Sequence, residues 1–92
     1  MENKEIIKQK MLAEGFVTIN EYDDTANELF PDHDHEADQK LVVVRGSILI
    51  TMNGKTSDLK EGDEFFFPAK VIHSAKVGPE GCLYIHGERI HK

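Results

Sequence analysis

The spacing of apolar positions along this 92-residue chain changes after Gly15. Before that residue, Ile7 and Met11 lie four positions apart, and Asn3 is an acceptable helix N-cap. Glycine readily adopts the left-handed conformation that follows a helix, so these features predict a short amphipathic helix over residues 4–14. Its apolar stripe is narrow, and we expect the helix to pack against the outside of a larger domain or at a dimer contact.

Beyond Gly15 the apolar residues alternate with polar ones or form β-branched runs, and both patterns are typical of strands. In chain order the segments are FVTINEY, KLVVVRG, SILITM, KTSDL, EFFFPA, KVIHSAKV and CLYIHGER. Asn53-Gly54 predicts a two-residue hairpin, because a type I′ turn needs positive φ at both positions. Turn signals at intervals of roughly 8–12 residues, GPEG among them, predict about seven or eight antiparallel strands in a sandwich or barrel.

Chain length favours one domain. A chain this short cannot sustain two hydrophobic cores and buries only roughly 60–65% of its unfolded surface. We therefore expect an N-terminal helix within residues 1–15 that packs on a β-barrel domain formed by residues 16–92. Such a domain is marginally stable, which favours a homodimer that hides further apolar surface. The last residues, including His91, are expected to fray, and His91 is assigned no role.

Charge and composition exclude several classes of partner. The net charge is −6 with no basic patch, which argues against nucleic acid and anionic membranes. No apolar segment approaches the ~20 residues that span a bilayer, and the N-terminus lacks the apolar core of a signal peptide, so we expect a cytoplasmic protein. The single Cys82 cannot form an intramolecular disulfide and is expected to behave as a small core residue.

Two histidines one residue apart lie in the most acidic part of the chain. Between Glu21 and Asp38 there are eight acidic residues and no lysine or arginine, and His33 and His35 lie within this segment. On a strand they would share a face, and imidazole is the commonest neutral ligand for first-row divalent metals. The alternative is that both are exposed polar residues. The acidic neighbours predict a raised pKa for both imidazoles and metal affinity that falls below about pH 6–7.

Three further residues are candidates for a site. His73 follows the apolar segment FFFPAKVI, where an imidazole without a partner would be costly. It is either a metal ligand or a core histidine that bonds a backbone carbonyl. Tyr84 and His86 share a face of CLYIHGER and could line the barrel interior as proton donors or substrate contacts. The alternative for His86 is a solvent-facing position.

Two segments of the chain resemble the two motifs of the cupin superfamily, and in particular small single-domain bacterial cupins. The first motif, G-x5-H-x-H-x(3–4)-E-x6-G, is matched by His33, His35 and Gly46, with Asn27 and Gln39 at the other two positions. The second motif, G-x5-P-x-G-x2-H-x3-N, is matched by Gly62, Pro68 and His73, with Lys70 and Val77 at the other two. All spacings are intact.

The resemblance implies an all-β fold, an antiparallel jelly-roll β-barrel of the cupin type with a short N-terminal helix. It also implies that His33, His35 and His73 bind a divalent transition metal such as Fe, Zn, Ni or Mn, with Gln39 in place of the usual carboxylate. Gln39 either coordinates as a neutral, weak ligand or does not coordinate. Glu36 and Asp38 have the wrong parity for the inward face if the strand continues regularly, so a carboxylate ligand from either of them is the less favoured alternative.

Two functions of different class are consistent with these residues. The first is a metalloenzyme that acts on a small organic molecule, dioxygenase-like or isomerase-like, with Tyr84 or His86 as acid/base. The second is a non-catalytic module that binds a small molecule or a metal ion. An apo barrel with relic histidines is a third, purely structural alternative.

Overall fold

The computed structural model describes residues 3–89 of the chain. It has one helix, α1 (Lys4–Ala13), followed by strands β1 (Thr18–Asp24), β2 (Leu29–His33), β3 (Asp38–Met52), β4 (Lys55–Lys60), β5 (Glu64–Phe67) and β6 (His73–Arg89). The antiparallel jelly-roll class is confirmed. Within residues 3–89 no helix has the length and apolar character that a membrane crossing requires. His91 lies outside the described residues.

Helix α1 forms where the sequence predicts it and ends one residue earlier. The Asn3 side chain accepts hydrogen bonds from the amides of Glu5 at 2.9 Å and Ile6 at 3.3 Å, which satisfies two otherwise unpaired groups of the first turn. Gly15 follows the helix with φ +96°. Ile7 and Met11 are buried, so the helix covers one outer face of the barrel, one of the two placements expected from the sequence.

The described residues form six strands rather than the seven or eight predicted. The sheet order is β1-β6-β3-β4, with β2 paired to β6 and β5 paired to β3. KLVVVRG and SILITM belong to one long strand, β3. The HSAKV part of KVIHSAKV, GPEG and CLYIHGER belong to one long strand, β6. The prediction of a chain reversal at GPEG was wrong: residues 78–81 form a bulge in β6 opposite Ser47, and the pairing with β3 resumes on both sides of it.

A pair of glycines makes this bend possible. Gly46 and Gly81 have φ of +84° and +82°, a region that side-chain-bearing residues rarely occupy. The register between β3 and β6 shifts between Val43 and Arg45, and again between Gly46 and Ile48. A Cβ atom on Gly46 would overlap the backbone carbonyl of Gly81. Both long strands therefore turn the same corner of the barrel in close backbone contact.

The two faces of the sheet bury two separate apolar cores. The core inside the barrel contains Leu41, Val43, Ile48, Ile50, Leu59, Phe67, Val77, Cys82 and Tyr84. The outer core, beneath the helix, contains Ile7, Met11, Phe16, Val42, Val44 and Ile85. On β3 the inward residues change from odd to even numbers between Val43 and Ile48, where the register shifts occur. The bend therefore keeps one apolar face directed inward along the whole strand.

The close glycine contact predicts a large loss of stability for Gly46→Ala. Gly54→Ala is the matched control, because Gly54 has φ +74° in the confirmed Asn53-Gly54 turn but open space around its Cα. Both variants carry the left-handed backbone penalty of about 1 kcal/mol, and only Gly46→Ala adds a backbone clash. We expect free energies of unfolding, from urea titration, to fall by about 3 kcal/mol or more for Gly46→Ala and about 1 kcal/mol for Gly54→Ala. Equal losses would show that the glycine contact is not tight.

Candidate metal centre

Three histidines from two adjacent elements converge at one end of the barrel. His33 ends β2, and His73, which begins β6, is its direct cross-strand partner. His35 lies two residues beyond His33 in the loop that follows. The ring centroids of His33 and His73 are 4.4 Å apart, those of His33 and His35 4.9 Å, and those of His35 and His73 5.3 Å. Their potential ligand nitrogens all lie within 4.8 Å of one another.

Backbone carbonyls orient two of these imidazoles. The Nδ1 atom of His33 is 2.6 Å from the carbonyl oxygen of Pro31, and the Nδ1 atom of His73 is 3.1 Å from that of Val71. A carbonyl oxygen can only accept, so each Nδ1 carries the proton and each Nε2 keeps a free lone pair. Metal-binding histidines usually donate their second ring N–H in this way. The carbonyl bond that the sequence offered as an alternative to ligation at His73 is therefore compatible with ligation.

No carboxylate joins the histidines among the His, Cys, Asp and Glu side chains within residues 3–89. Glu36 is exposed and lies 3.9 Å from Lys70. Asp38 is buried, but its carboxylate accepts a hydrogen bond from the Ala69 amide at 2.9 Å and pairs with Arg89 at 3.3 Å. The expectation that neither acid supplies a ligand agrees with these contacts.

Gln39 lies in the wall of the same cavity as the three histidines. Its amide oxygen is 3.1 Å from Nε2 of His86, and its amide nitrogen donates to Glu88 at 3.3 Å. The amide oxygen accepts a hydrogen bond from the His86 Nε2–H group, and its second lone pair stays available. Coordination of a metal by Gln39 stays a prediction. The structure shows that Gln39 lines the cavity that the three histidines also line and accepts a hydrogen bond from His86.

Tyr84 and His86 both line the cavity, so the expectation of inward-facing side chains is met, and His86 is not on a solvent-facing surface. The Tyr84 hydroxyl donates to a carboxylate oxygen of Asp24 at 2.6 Å, and burial together with this bond raises the pKa of Tyr84 far above its usual value. Burial, followed by the proximity of His35, lowers the pKa of His86 to about 4. Both groups are therefore neutral at pH 7.

The electrostatic effect of the acidic segment is smaller than the sequence suggested. Burial is the largest influence on His35 and lowers its pKa, and the neighbouring His33 lowers it further. Asp34 and Glu88 act in the opposite direction and do not reverse the shift. The pKa of His73 is also lowered, chiefly by burial. The predicted rise in the pKa of His35 was wrong, because the acidic side chains point into water while the imidazole points inward.

The cavity beside the histidines has a volume of about 180 Å³. Its remaining wall is apolar and consists of Phe30, Leu41, Ile48, Ile50, Phe67 and Ala75. Tyr22, which the sequence reasoning did not single out, stands 43% exposed at its edge with its ring 5.6 Å from that of Tyr84. Tyr22 and Tyr84 are cross-strand partners in β1 and β6, a pairing that the sequence pattern alone did not reveal.

Two residues that stand in place of cupin-motif glycines keep the positive-φ backbone conformation that glycine would adopt. Asn27 and Lys70, which replace motif glycines, have φ of +64° and +65°. Asparagine tolerates this region, whereas lysine is strained there. The Lys70 amide donates to the carbonyl oxygen of His35 at 2.7 Å, so the strained residue connects the two loops that carry His35 and His73.

Comparisons with solved structures agree with this architecture. An RmlC-like cupin from Shewanella frigidimarina has 26% sequence identity and a TM-score of 0.71, with 80% of this chain and 66% of that chain covered. A cupin-like protein from Thermotoga maritima has 25% identity and a TM-score of 0.71, with 77% of this chain and 55% of that chain covered. Oxalate decarboxylase from Bacillus subtilis has 20% identity and a TM-score of 0.73, with coverage of 89% and 23%.

The chain thus spans about two thirds or less of the length of these relatives. A search of the curated proteins gave no match. The family model described as "Cupin domain" matches residues 22–85, which include all three histidines, Gln39 and both long strands up to Ile85. With the jelly-roll topology and the motif histidines in one cluster, this match shows that the chain belongs to the cupin family.

Proposed function

We propose that this cupin binds one divalent transition metal through His33, His35 and His73 and acts as a metalloenzyme on a small organic molecule in the barrel cavity. The observation that carries the proposal is the convergence of three imidazoles whose ligand nitrogens lie within 4.8 Å of one another. Two of them donate Nδ1–H to backbone carbonyls, which leaves Nε2 free to coordinate.

The donor set fits a first-row ion. Nitrogen ligands about 2.1 Å from one ion lie at most about 4.2 Å apart, so small side-chain rotations bring the three nitrogens into range. Three neutral imidazoles suit Zn, Fe, Ni and Mn without selecting among them. Oxalate decarboxylase of similar fold has Mn(II) centres, which supports the inclusion of Mn. When bound, the ion would supply Lewis-acid polarisation of a coordinated oxygen, and iron would add redox chemistry.

The cavity favours a small ligand with an anionic end and an apolar body. Neutral ligands leave an ion its full +2 charge, which attracts an anion to the positions that protein atoms do not fill. The cavity of about 180 Å³ is below the range of drug-sized pockets, and no lysine or arginine lines it. The wall opposite the histidines is apolar, with Leu41, Ile48 and Ile50 among its side chains. A molecule with a second anionic group would find no counter-charge there.

Among reaction types, the neutrality of His86 and Tyr84 favours dioxygenase-like over isomerase-like chemistry. Isomerisation needs a group that gives up or takes a proton near neutral pH. The Tyr84 hydroxyl keeps its proton and donates a hydrogen bond to Asp24, and His86, with a pKa of about 4, donates Nε2–H to Gln39. His86 remains the better acid/base candidate of the two, because its Nδ1 lone pair can accept a proton.

The second candidate function is a non-catalytic module that binds a metal ion or a small molecule. The same two observations favour it, since neither His86 nor Tyr84 has a pKa suited to proton transfer at pH 7. Gln39 also favours the binding module, because a neutral amide binds a metal more weakly than a carboxylate does.

Metal content and turnover distinguish these functions. Protein purified without a metal-affinity tag would be analysed for its elements and then tested with Fe(II) for oxygen consumption in the presence of small enols, diketones and carboxylates. Oxygen uptake that depends on both metal and organic molecule would establish the enzyme. Stoichiometric metal with organic-ligand binding but no turnover would establish the binding module, and no metal binding would reject the metalloenzyme and any metal-binding module.

The predicted homodimer and cytoplasmic location belong to the same proposal. Leu29 is 69% exposed beside Phe30 and Leu49 in a surface groove, and a second copy of the chain would cover these side chains. The single cysteine, Cys82, is buried and burial raises its pKa to about 11, which agrees with an unreactive core residue in a reducing compartment.

The proposed ligand set predicts unequal effects of histidine substitutions on metal binding. His33→Ala, His35→Ala and His73→Ala should each weaken Zn(II) or Co(II) binding by more than about 100-fold, because even the loss of an outer partner of a ligand costs 10–100-fold. His86→Gln, which replaces a cavity histidine outside the cluster, should retain one ion per chain. Competition titration against a chromophoric chelator measures these affinities. A His86→Gln loss as large as that of His73→Ala would show that the ligand set is different.

The neutral state of His86 predicts a pH-dependent stability of the metal-free protein. Its pKa is about 4 in the folded chain and about 6.5 when unfolded, so the unfolded state binds more protons between these values. The stability that His86 contributes is therefore present above pH 6.5 and is lost as the pH falls towards 4. We expect the fall in the free energy of unfolding between pH 7 and pH 5 to be about 1–3 kcal/mol smaller in His86→Gln than in the wild type. Urea titrations of both proteins at pH 7 and pH 5 measure it, and parallel losses would contradict the assignment.

A further inference from the structure

We infer that Asp38 is a positioning residue for the metal centre: its carboxylate holds the loop between β5 and β6 in the conformation that presents His73. The inference rests on the metal centre proposed above. Asp38 is not among the residues that line the cavity, and we infer that it acts through the loop.

Asp38 is a buried acid at the start of β3, with 7% of its side chain exposed. One carboxylate oxygen accepts a hydrogen bond from the Ala69 amide at 2.9 Å. The other lies 3.3 Å from Nη2 of Arg89. A carboxylate removed from water is stable only with such partners, so these contacts hold the side chain in one orientation.

The loop that Asp38 contacts contains a tight turn. The Val71 amide donates to the Pro68 carbonyl at 3.3 Å, and Lys70 at the third position has φ +65°, as a type II turn requires. Glycine normally occupies that position, and another residue persists there only when its surroundings enforce the conformation. Two hydrogen bonds from successive amides hold the turn in this conformation. The Ala69 amide donates to Asp38, and the Lys70 amide donates to the His35 carbonyl at 2.7 Å.

This turn controls the orientation of His73. The Val71 carbonyl, at the end of the turn, accepts the Nδ1 proton of His73 at 3.1 Å. The same turn is bonded to the carbonyl of His35, the ligand on the other loop. Loss of the Ala69 contact would therefore loosen the acceptor that directs Nε2 of His73 towards the other two imidazoles.

The second carboxylate oxygen of Asp38 pairs with Arg89 and not with the loop, so the two contacts can be removed separately. Arg89 donates through Nη1 to the carbonyl of Glu14 at 3.0 Å, and its guanidinium lies 4.8 Å from the ring centre of Phe16. This side of Asp38 thus attaches the end of helix α1 to the barrel. Asparagine at position 38 keeps an oxygen for Ala69 and loses the charge that pairs with Arg89.

Four variants test the role. Asp38→Ala removes both contacts, and Asp38→Asn removes only the ion pair. Ala69→Pro removes the loop hydrogen bond while Asp38 stays in place, and the second position of a turn favours proline. Met11→Ala is the matched control, because it weakens the buried contact of helix α1 in the outer core and leaves both contacts of Asp38 in place.

Three measurements apply to each variant: the Co(II) dissociation constant from chelator competition, the visible spectrum of the Co(II) complex, and hydrogen exchange of the Lys70 amide in the metal-free protein. We expect Asp38→Ala and Ala69→Pro to bind Co(II) about 10–100-fold more weakly, with an altered spectrum and faster exchange. Asp38→Asn and Met11→Ala should keep the wild-type affinity and spectrum even where urea midpoints fall. Ala69→Pro decides the question if Asp38→Ala does not fold.

Two results would overturn the inference, and they have different meanings. Wild-type affinity in Ala69→Pro, or an equal loss of affinity in Met11→Ala, would show that Asp38 only stabilises the fold. Failure of the wild-type protein to bind Co(II) at all would reject the metal centre itself, and with it any positioning role.

Discussion

The antiparallel pairing of β3 with β6 is the interaction on which the rest of the structure depends. It runs from Asp38 opposite Arg89 to Met52 opposite His73, and every other strand pairs with one of these two. The backbone hydrogen bonds of this ladder place Gln39 near the end of β6 and His73 at its beginning. The pairing therefore fixes the positions of chain segments that are far apart in sequence, although its register shifts twice at the bend.

That ladder encloses a barrel only because it bends at Gly46 and Gly81. Without side chains at these positions the two backbones approach closely and turn together. The bend also preserves the inward direction of the apolar residues on both sides of it. The interior core, the cavity and the outer face beneath α1 all follow from the same local geometry.

Inside the cavity, removal from water has a greater effect on the imidazoles than the surrounding negative charge. Asp34 and Glu36 alternate with the histidines and stay exposed, so water screens their charges, while burial lowers the pKa of His35, His73 and His86. A neutral imidazole is the form that binds a metal. Burial thus favours the neutral form of His35 and His73 at pH 7, and the acidic segment does not reverse this.

The sequence by itself determined the features that depend on near neighbours or on fixed spacing: the Asn3 cap, the Asn53-Gly54 hairpin, the inward parity of His33 and His35, and the cupin motif that adds His73. Only the tertiary structure decided the number of strands, the neutral state of His86, the partners of Gln39 and the contact between Asp38 and Ala69. These depend on register, burial and contacts between distant segments. The local sequence pattern predicts which face a side chain occupies. Its charge state and its partners depend on the residues that the folded chain places opposite it.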